Sequence, residues 1–561
     1  MKYGLFSCRG GNVAILFAAL SIPMLMFGGA AIDYGLATRL ETKLRAATDS
    51  TALLLCQTPM TISTVDLNIL AQTTMAGAMG VQNLLVEPLI ITNNPRKITL
   101  VAHKQSSVFF GKLTGTTFMN PRAKSECASP LPKTFEIALV LDNTGSMGAS
   151  SGGQTKLQAV QQASTNFVNY VYNNSSFSSA TKISIVPFAA AVAVDPSAYR
   201  YASWIDQNGQ SSLHWTNVLS PRGSNFTNRF DIFSKLKAAN NGWDWAGCLE
   251  TLPYPLNVQD GAPTGTNKDS YYVPLFAPDE PGAANKNYAE FTVNNNKYYS
   301  FNSYIDDDNG SNLGSCPVQP AGTSFNSAEG RACKYVSPAN PAPTNSGAYT
   351  GIPNGPNFGC TTRPLQRLTN DKAALKALIN AMAPSGSTNI HEGFMWGWRT
   401  LSPTSVFADG SAYSSSSNSS SAQTINKIII LMTDGTNSWA TNPYSPNGSM
   451  YFAAGYFKNA NDTTASGRMP TGNQNVYDST SARNALDALT AEACKNAKNA
   501  NISIYTIGFS VPSDPIDSAG QTLLRNCAST PAQFYIANNS DDLIKSFQQI
   551  QASIGVLRLT Q

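Results

Sequence analysis

From Phe135 onward the sequence alternates short apolar runs with amphipathic segments, and this pattern constrains the fold more than any other feature. The run Ile137–Leu141 contains no polar residue, as expected for a strand that is covered on both faces. A second such run, Ile428–Met432, lies much further along the chain. Segments with apolar residues at helical spacing separate the runs. Because strands that alternate with helices form a mostly parallel sheet with helices on both faces, we predict an α/β domain over residues 135–561.

Two segments interrupt this alternation. Residues from about 194 to 361 are rich in Asn, Gly, Pro, Tyr and Trp and show no sustained periodicity. Because an unstructured loop of that length is unusual inside a domain, we interpret it as an inserted lobe. Residues 438–478 form a second, shorter insertion. Ahead of the domain, residues 57–134 contain short runs typical of strands, among them Ser107–Phe110, and are predicted to form a small connecting unit.

The N-terminal segment has no charged side chain between Arg9 and Asp33. Residues 13–32 supply about twenty mostly apolar residues, which at ~1.5 Å per residue cross a hydrocarbon core of roughly 30 Å. The apolar stripe continues beyond Asp33, so we predict that residues 1–56 form a membrane anchor with a helical extension. A cleaved signal peptide is the alternative, because basic residues precede the stretch and small residues lie near its end.

Composition excludes several kinds of protein. The formal net charge is +4 and charged residues make up 13% of the chain, so the basic footprint of a nucleic-acid-binding protein is missing. The nine cysteines form no CxxC pair and only three histidines accompany them, which argues against a finger-type zinc site. Scattered cysteines favour disulfides in an oxidising compartment, with unpaired buried thiols as the alternative. Since the charges flanking the apolar stretch do not decide its orientation, the cysteines place the bulk of the chain on the oxidising side.

Six cysteines are candidates for disulfides, two near the C-terminus and four within the inserted lobe: Cys494, Cys527, Cys248, Cys360, Cys316 and Cys333. The C-terminal two flank a predicted strand, and a bridge between them competes with two separate buried thiols. The four in the lobe allow three connectivities. Of these we put forward one, which pairs Cys248 with Cys360 and Cys316 with Cys333.

Hydroxyl and carboxylate side chains follow predicted strands or open a predicted helix at three places. Asp142, Thr144 and Ser146 come directly after the first buried strand. Thr388 opens a helix, and Asp434 follows the second buried strand. Because the loops at the carboxyl ends of parallel strands gather at one edge of a sheet, we expect these side chains to meet. An all-oxygen set suits a hard divalent cation, with Mg²⁺ as the first choice and Mn²⁺ or Ca²⁺ as the alternatives.

The first of these loops resembles the D-x-[ST]-x-S motif of von Willebrand factor A domains, whose metal-ion-dependent adhesion site (MIDAS) adds a Thr and an Asp from two later loops. The five side chains named above match those positions in order. The resemblance implies an A-type, Rossmann-like fold and a bound cation with one coordination position left for the acidic side chain of a protein partner. Thr144 stands where Ser is commoner, which keeps the hydroxyl and adds a methyl group.

Three N-terminal stretches, at residues 11–18, 31–35 and 44–53, resemble the leader-helix region of TadG-like proteins of bacterial tight-adherence (Flp) pilus assembly. The resemblance implies a single-pass protein of the bacterial cell membrane, with its bulk on the periplasmic side and other pilus-assembly components as partners. We therefore expect a membrane-anchored envelope protein of pilus assembly or adhesion.

Two other functions remain open at this point. One is a structural envelope component that binds its partners through the inserted lobe without a metal. The other is a metal-dependent hydrolase acting at Asp142 and Asp434. The sequence contains no GxxxxGK[ST] or HExxH motif, so we predict that the protein is not an enzyme.

Overall fold

The computed structural model describes most of the chain, and the statements below concern the residues it describes: 11–58, 62–92, 96–128, 134–174, 177, 179–218, 226–280, 289–293, 296–305, 332–338, 352–413, 425–442, 447–457 and 466–556. The chain divides into two compact units, one up to residue 132 and one from residue 133 onward. The predicted anchor, residues 1–56, and nearly all of the predicted connecting unit, residues 57–134, therefore belong to the first compact unit.

The N-terminal unit combines two helices, a four-stranded antiparallel sheet and a small hairpin. The helices are α1 (Gly11–Gln57) and α2 (Thr64–Met79), and the sheet strands are β1 (Leu84–Val86), β2 (Ile90–Thr92), β3 (Lys97–Lys104) and β6 (Arg122–Ala128). The hairpin pairs β4 (Ser106–Ser107) with β5 (Phe118–Met119). Within the described residues, the stretch of α1 from Leu16 onward is long and apolar enough to contain a membrane span.

The C-terminal half of α1 belongs to the core of this unit. Leu44 and Leu55 of α1, Leu67 and Met75 of α2 and Leu100 of β3 are buried in one apolar cluster. A disulfide between Cys56 and Cys127 joins the end of α1 to β6. The sequence did not put this pair forward, because its partners lie 71 residues apart and outside the lobe.

The strand predicted at Ser107–Phe110 is wrong. Strand β4 ends at Ser107, and the chain then bends into a short 3-10 turn at Gly111–Thr114. The reason is that the N–H groups of Phe109 and Phe110 donate to the carboxylate of Asp33 on α1 instead of to a neighbouring strand.

The C-terminal unit is built on a six-stranded sheet in the order β13-β10-β7-β14-β15-β16. The strands are β7 (Phe135–Asp142), β10 (Lys182–Phe188), β13 (Gln366–Thr369), β14 (Asn426–Thr433), β15 (Ser503–Phe509) and β16 (Phe534–Ala537). All neighbouring pairs are parallel except β13 with β10, which is antiparallel. A two-stranded ribbon of β8 (Ser150–Ser151) and β9 (Gln154–Thr155) follows the first loop.

Three helices pack on each face of this sheet. One face carries α3 (Lys156–Asn173), α6 (Lys372–Ala381) and α10 (Ser540–Val556), and the other carries α7 (Ile390–Leu401), α8 (Ser479–Asn499) and α9 (Ser518–Cys527). Successive residues of β7 alternate between the two faces, with Leu139 in one core cluster and Val140 in the other. Both faces are therefore covered, which explains the uninterrupted apolar runs of the central strands.

The chain between β10 and β13 contains α4 (Pro196–Tyr199), α5 (Arg229–Ala239) and the hairpin β11 (Ala289–Val293) with β12 (Asn296–Ser300). Its aromatic side chains, such as Trp204 and Tyr272, pack against Trp396 of α7. Cys248 is bonded to Cys360 within this segment. The proposed partner of Cys333, Cys316, lies outside the described residues.

The two cysteines near the C-terminus also form a disulfide. Cys494, near the end of α8, is bonded to Cys527, the last residue of α9. The bridge closes a loop that contains the whole of β15, so it ties two helices of one face together across a strand of the sheet.

Candidate functional site

The first loop of the site begins where the central strand β7 ends at Asp142. The N–H of Asn143 donates to the carbonyl of Phe188 (2.9 Å), and the N–H of Gly145 donates to the carbonyl of Gly386 (2.9 Å). The N–H of Ser385 in turn donates to the carbonyl of Asn143 (2.9 Å). Backbone hydrogen bonds thus fasten the first loop to the second, which leads into α7.

The third loop follows β14 and is fastened to the second in the same way. The N–H of Ser438 donates to the carbonyl of Thr388 (2.9 Å), and the N–H of Ile390 donates to Oδ1 of Asn437 (2.8 Å). The three loops that the sequence predicted to meet therefore lie at one edge of the sheet, held by main-chain hydrogen bonds and by the side chain of Asn437.

Four of the five predicted side chains form one continuous chain of oxygen atoms, each within 3.0 Å of the next. Oγ1 of Thr144 donates to Oδ1 of Asp142 (2.6 Å) and lies 3.0 Å from Oγ of Ser146. Oγ of Ser146 donates to Oδ1 of Asp434 (2.7 Å). Asp142, Thr144 and Asp434 are buried, whereas Ser146 is exposed, so the chain of oxygen atoms reaches the surface at one point.

Thr388, the fifth side chain, is not part of this chain. It is nearly buried, and its hydroxyl lies beside Gly435: a Cβ built on that glycine would lie 3.6 Å from Oγ1. Among the described residues, no hydrogen bond joins the Thr388 hydroxyl to either carboxylate. The structure thus places the Thr388 hydroxyl next to Gly435, the residue that follows Asp434 in the chain.

Two further groups touch the carboxylates, and the sequence did not single them out. Oγ1 of Thr433 donates to Oδ2 of Asp142 (2.6 Å). Nζ of Lys156, the first residue of α3, donates to Oδ2 of Asp434 (2.8 Å) and to Oδ2 of Asp514 (2.7 Å). One signal for Lys156 was present, since the positive end of the helix dipole disfavours a cation in the first turn unless a carboxylate compensates it.

The electrostatics of the site are those of two carboxylates in a confined space. Burial, together with the charge of Asp434, raises the pKa of Asp142 to about 7 despite the hydrogen bonds it accepts. Burial also raises the pKa of Asp434, although Lys156 opposes this. Burial by itself would lower the pKa of Lys156, but the carboxylates of Asp434 and Asp514 raise it. When both carboxyl groups are ionised, the single lysine does not neutralise the site.

These residues fit a divalent cation by the chemistry of their donors. In the described part of the chain no three side chains of His, Cys, Asp and Glu cluster as a metal site, so the candidate set is two carboxylates plus hydroxyls. Carboxylate and neutral oxygen atoms are the ligands that Mg²⁺ and Ca²⁺ prefer. A bound cation would also relieve the repulsion between Asp142 and Asp434, which the hydrogen bonds alone leave in place.

Residues 11–54 match the model of the Tad family, the TadE/G-like proteins of Flp pilus assembly. This segment is TadE/G-like. The match covers most of α1 and confirms the resemblance that the N-terminal stretches indicated. No curated protein matches the sequence.

Solved structures similar to this chain include domains of bacterial pilus proteins. The von Willebrand domain of the type V pili tip protein Mfa5 from Porphyromonas gingivalis is 11% identical, with a TM-score of 0.33, and the alignment covers 76% of this chain and 96% of that one. The adhesive tip pilin GBS104 from Group B Streptococcus agalactiae is 10% identical, with a TM-score of 0.32 and coverages of 75% and 100%. The pilus adhesin SpaC from Lactobacillus rhamnosus GG is 11% identical, with a TM-score of 0.30. The alignment covers 84% of this chain and 34% of SpaC, so this chain spans about a third of the length of SpaC.

Proposed function

We propose that this protein is a membrane-anchored envelope component of pilus assembly or adhesion whose A-type domain binds a divalent cation and, through it, an acidic side chain of a protein partner. In this proposal residues 13–32 cross the bacterial cell membrane once. Mg²⁺ is the first choice of ion, and the proposal includes no catalytic step.

One observation carries the proposal: the first and third loops bring two buried carboxylates and two hydroxyls into a single chain of oxygen atoms that reaches the surface at Ser146. A hydroxyl that donates to a carboxylate in the absence of a cation can turn and offer its lone pairs when a cation is present. The exposed end of the chain of oxygen atoms is where a partner's carboxylate would complete the coordination.

The disulfides support the assignment to the outside of the cytoplasm. Cys56–Cys127 lies in the N-terminal unit, and Cys248–Cys360 and Cys494–Cys527 lie in the C-terminal unit. Disulfides persist in oxidising compartments and are rare in the cytosol. We therefore propose that both units face the periplasmic side of the membrane.

A second candidate function is favoured by Lys156. Its ammonium group already donates to Asp434, so it supplies part of the positive charge that a cation would supply. In this alternative the domain binds no metal and acts as a structural envelope component, with contacts made by the inserted lobe.

Titration calorimetry of the full chain in detergent with Mg²⁺, Mn²⁺ and Ca²⁺ distinguishes the two functions. We expect saturable binding of at least one ion to the wild type and its loss in Asp142→Asn, which removes a charge and keeps the shape. Asp541→Asn, at the exposed start of α10, is the matched control and should bind as the wild type does. Equal heats for the wild type and Asp142→Asn would favour the metal-free alternative.

A further inference from the structure

The hairpin of the N-terminal unit, residues 106–119, carries three exposed phenylalanines, and we refer to it as the Phe hairpin. Its strands pair Ser107 with Phe118. The side chains of Phe109, Phe110 and Phe118 are 71%, 39% and 51% exposed. Burying an aromatic side chain of this kind is worth ~1.5–3 kcal/mol, so a cluster of exposed rings indicates a surface that is covered by something else.

One carboxylate of α1 accepts three hydrogen bonds from the Phe hairpin. The N–H of Phe109 donates to Oδ1 of Asp33 (2.9 Å), and the N–H groups of Phe110 and Gly111 both donate to Oδ2 (2.8 Å). The Asp33 side chain is buried by this contact. Because hydrogen bonds to an ionised acceptor are about twice as strong as neutral ones, three of them fix the position of the hairpin along α1.

A second contact fixes the same position independently. A Cβ built on Gly29 would lie 2.3 Å from Cγ of Phe110, so the ring packs directly on the backbone of α1 about one turn before Asp33. Gly29 is buried, whereas the large apolar side chains from Leu16 to Phe27 are exposed. Only a residue without a side chain allows this approach.

These two contacts place the Phe hairpin at one particular level of α1. The apolar stretch that we propose to span the membrane ends at Ile32, and Asp33 is the first charged residue after it. Tyr34 is exposed beside it, and tyrosine is enriched where a helix leaves a bilayer. The exposed Lys112 of the hairpin suits a surface of anionic headgroups.

We propose that the Phe hairpin inserts its phenylalanine side chains into the lipid interface at the carboxyl end of the membrane span. The N-terminal unit then contacts the bilayer at two places, through α1 and through the hairpin, which fixes its height and tilt above the membrane. This inference rests on the proposed membrane span and adds a lipid surface as the partner of residues 106–119.

A photo-crosslinking experiment on the full chain tests the inference. The chain is reconstituted in liposomes of phosphatidylethanolamine and phosphatidylglycerol with p-benzoylphenylalanine at position 109, and phospholipid adducts are quantified by mass spectrometry. Position 27 in the apolar stretch of α1 reports on the membrane span itself. Position 65 on α2 is the matched control, because Val65 is 68% exposed and apolar.

The control position lies far from the proposed interface. Helix α2 packs beside the end of α1, where Oγ1 of Thr51 contacts Sδ of Met75 at 3.3 Å. Thr51 follows Asp33 by 18 residues of one helix, which corresponds to roughly 27 Å. A lipid probe at position 65 should therefore find no bilayer.

We expect adducts at positions 27 and 109, with the yield at 109 at least about fivefold above that at 65. Adducts at 27 without adducts at 109 would overturn the inference and leave the membrane span intact. Absence of adducts at both 27 and 109 would overturn the span and the inference together. Protein–protein adducts at 109 in place of lipid adducts would show that another protein covers the hairpin, and would also overturn it.

Asp33→Asn provides a second, independent variant. An amide keeps the shape of the side chain but removes the charge and one of the two acceptor oxygens, so the hairpin should be held less firmly on α1. We expect the lipid adducts at position 109 to fall severalfold while those at position 27 stay unchanged. An unchanged yield at 109 would refute the role assigned to Asp33.

Discussion

Replacing Lys156 by Met removes the ammonium group from the candidate site and leaves a side chain of similar length. Nζ of Lys156 lies 2.8 Å from Oδ2 of Asp434, and both side chains are fully buried. The second partner, Asp514, is half exposed and is stabilised by water when the lysine is lost. Removing one partner of a buried ion pair costs about 3–5 kcal/mol, because the other charge stays buried and unpaired. We expect a loss of that size in the free energy of unfolding in EDTA.

A bound divalent cation should reduce this loss. At a hundredfold excess over Kd a ligand stabilises the native state by about 2.7 kcal/mol. Without the competing lysine the variant should bind the cation at least about tenfold more tightly, which adds about 1.4 kcal/mol. The difference between the wild type and Lys156→Met should therefore be smaller by about that amount in saturating Mg²⁺ than in EDTA.

Urea unfolding followed by tryptophan fluorescence measures both values. All seven tryptophans lie in the C-terminal unit, so the signal reports on that unit alone. Lys427→Met is the matched control, since Lys427 is a nearly buried lysine paired with Glu136 at the opposite end of the same strands. Its loss should be the same with and without Mg²⁺. If the loss of stability in Lys156→Met is also the same with and without Mg²⁺, the cation does not bind at Asp434.

Three further predictions follow from other contacts. Burial and the neighbouring carboxylate raise the pKa of Asp142 to about 7, so protons compete with the cation for this side chain. Calorimetry should therefore show an affinity for the cation about tenfold lower at pH 6 than at pH 8. In EDTA, the free energy of unfolding should fall as pH rises from about 4 to about 7, because the carboxyl group of Asp142 holds a proton in the native state that it releases in the unfolded state. Replacing Cys56 and Cys127 by Ser removes a disulfide between residues 71 positions apart and should lower the free energy of unfolding by about 4 kcal/mol. The loss should be seen as faster proteolysis of the N-terminal unit. Gly397→Ala on α7 should destabilise the protein by about 1–3 kcal/mol in thermal unfolding, because the added Cβ would lie 2.3 Å from a side chain of β7. Gly77→Ala on α2, whose added Cβ would have nothing within 4 Å, should instead stabilise it by about 0.5–1 kcal/mol.

The sheet and the three loops could be predicted because they depend on patterns that are local in sequence. An apolar run such as Ile428–Met432 identifies a strand covered on both faces, and the position of Asp434 just after it follows from the numbering alone. That the loops meet follows from the parallel arrangement, in which the strands present their carboxyl ends at one edge.

The contacts that the sequence did not predict join residues that no local pattern connects. Lys156 reaches Asp434 across 278 positions, and nothing near either residue identifies the other. The three N–H groups that bind Asp33 lie about 76 to 78 positions away, in a stretch whose apolar residues favour a strand. In each case a single buried carboxylate decides the local structure, and its partners are determined by the tertiary fold.

Asp33 and Asp142 show how differently two buried carboxylates can be stabilised. Asp33 accepts only main-chain N–H groups in the contacts described above, and an N–H cannot become a ligand, so that contact is a permanent structural one. Asp142 accepts from the hydroxyls of Thr144 and Thr433 as well as from an N–H, and it faces a second carboxylate. Hydroxyl groups can exchange the role of donor for that of acceptor, so only the second arrangement can pass from a hydrogen-bonded state to a cation-bound one without moving its backbone.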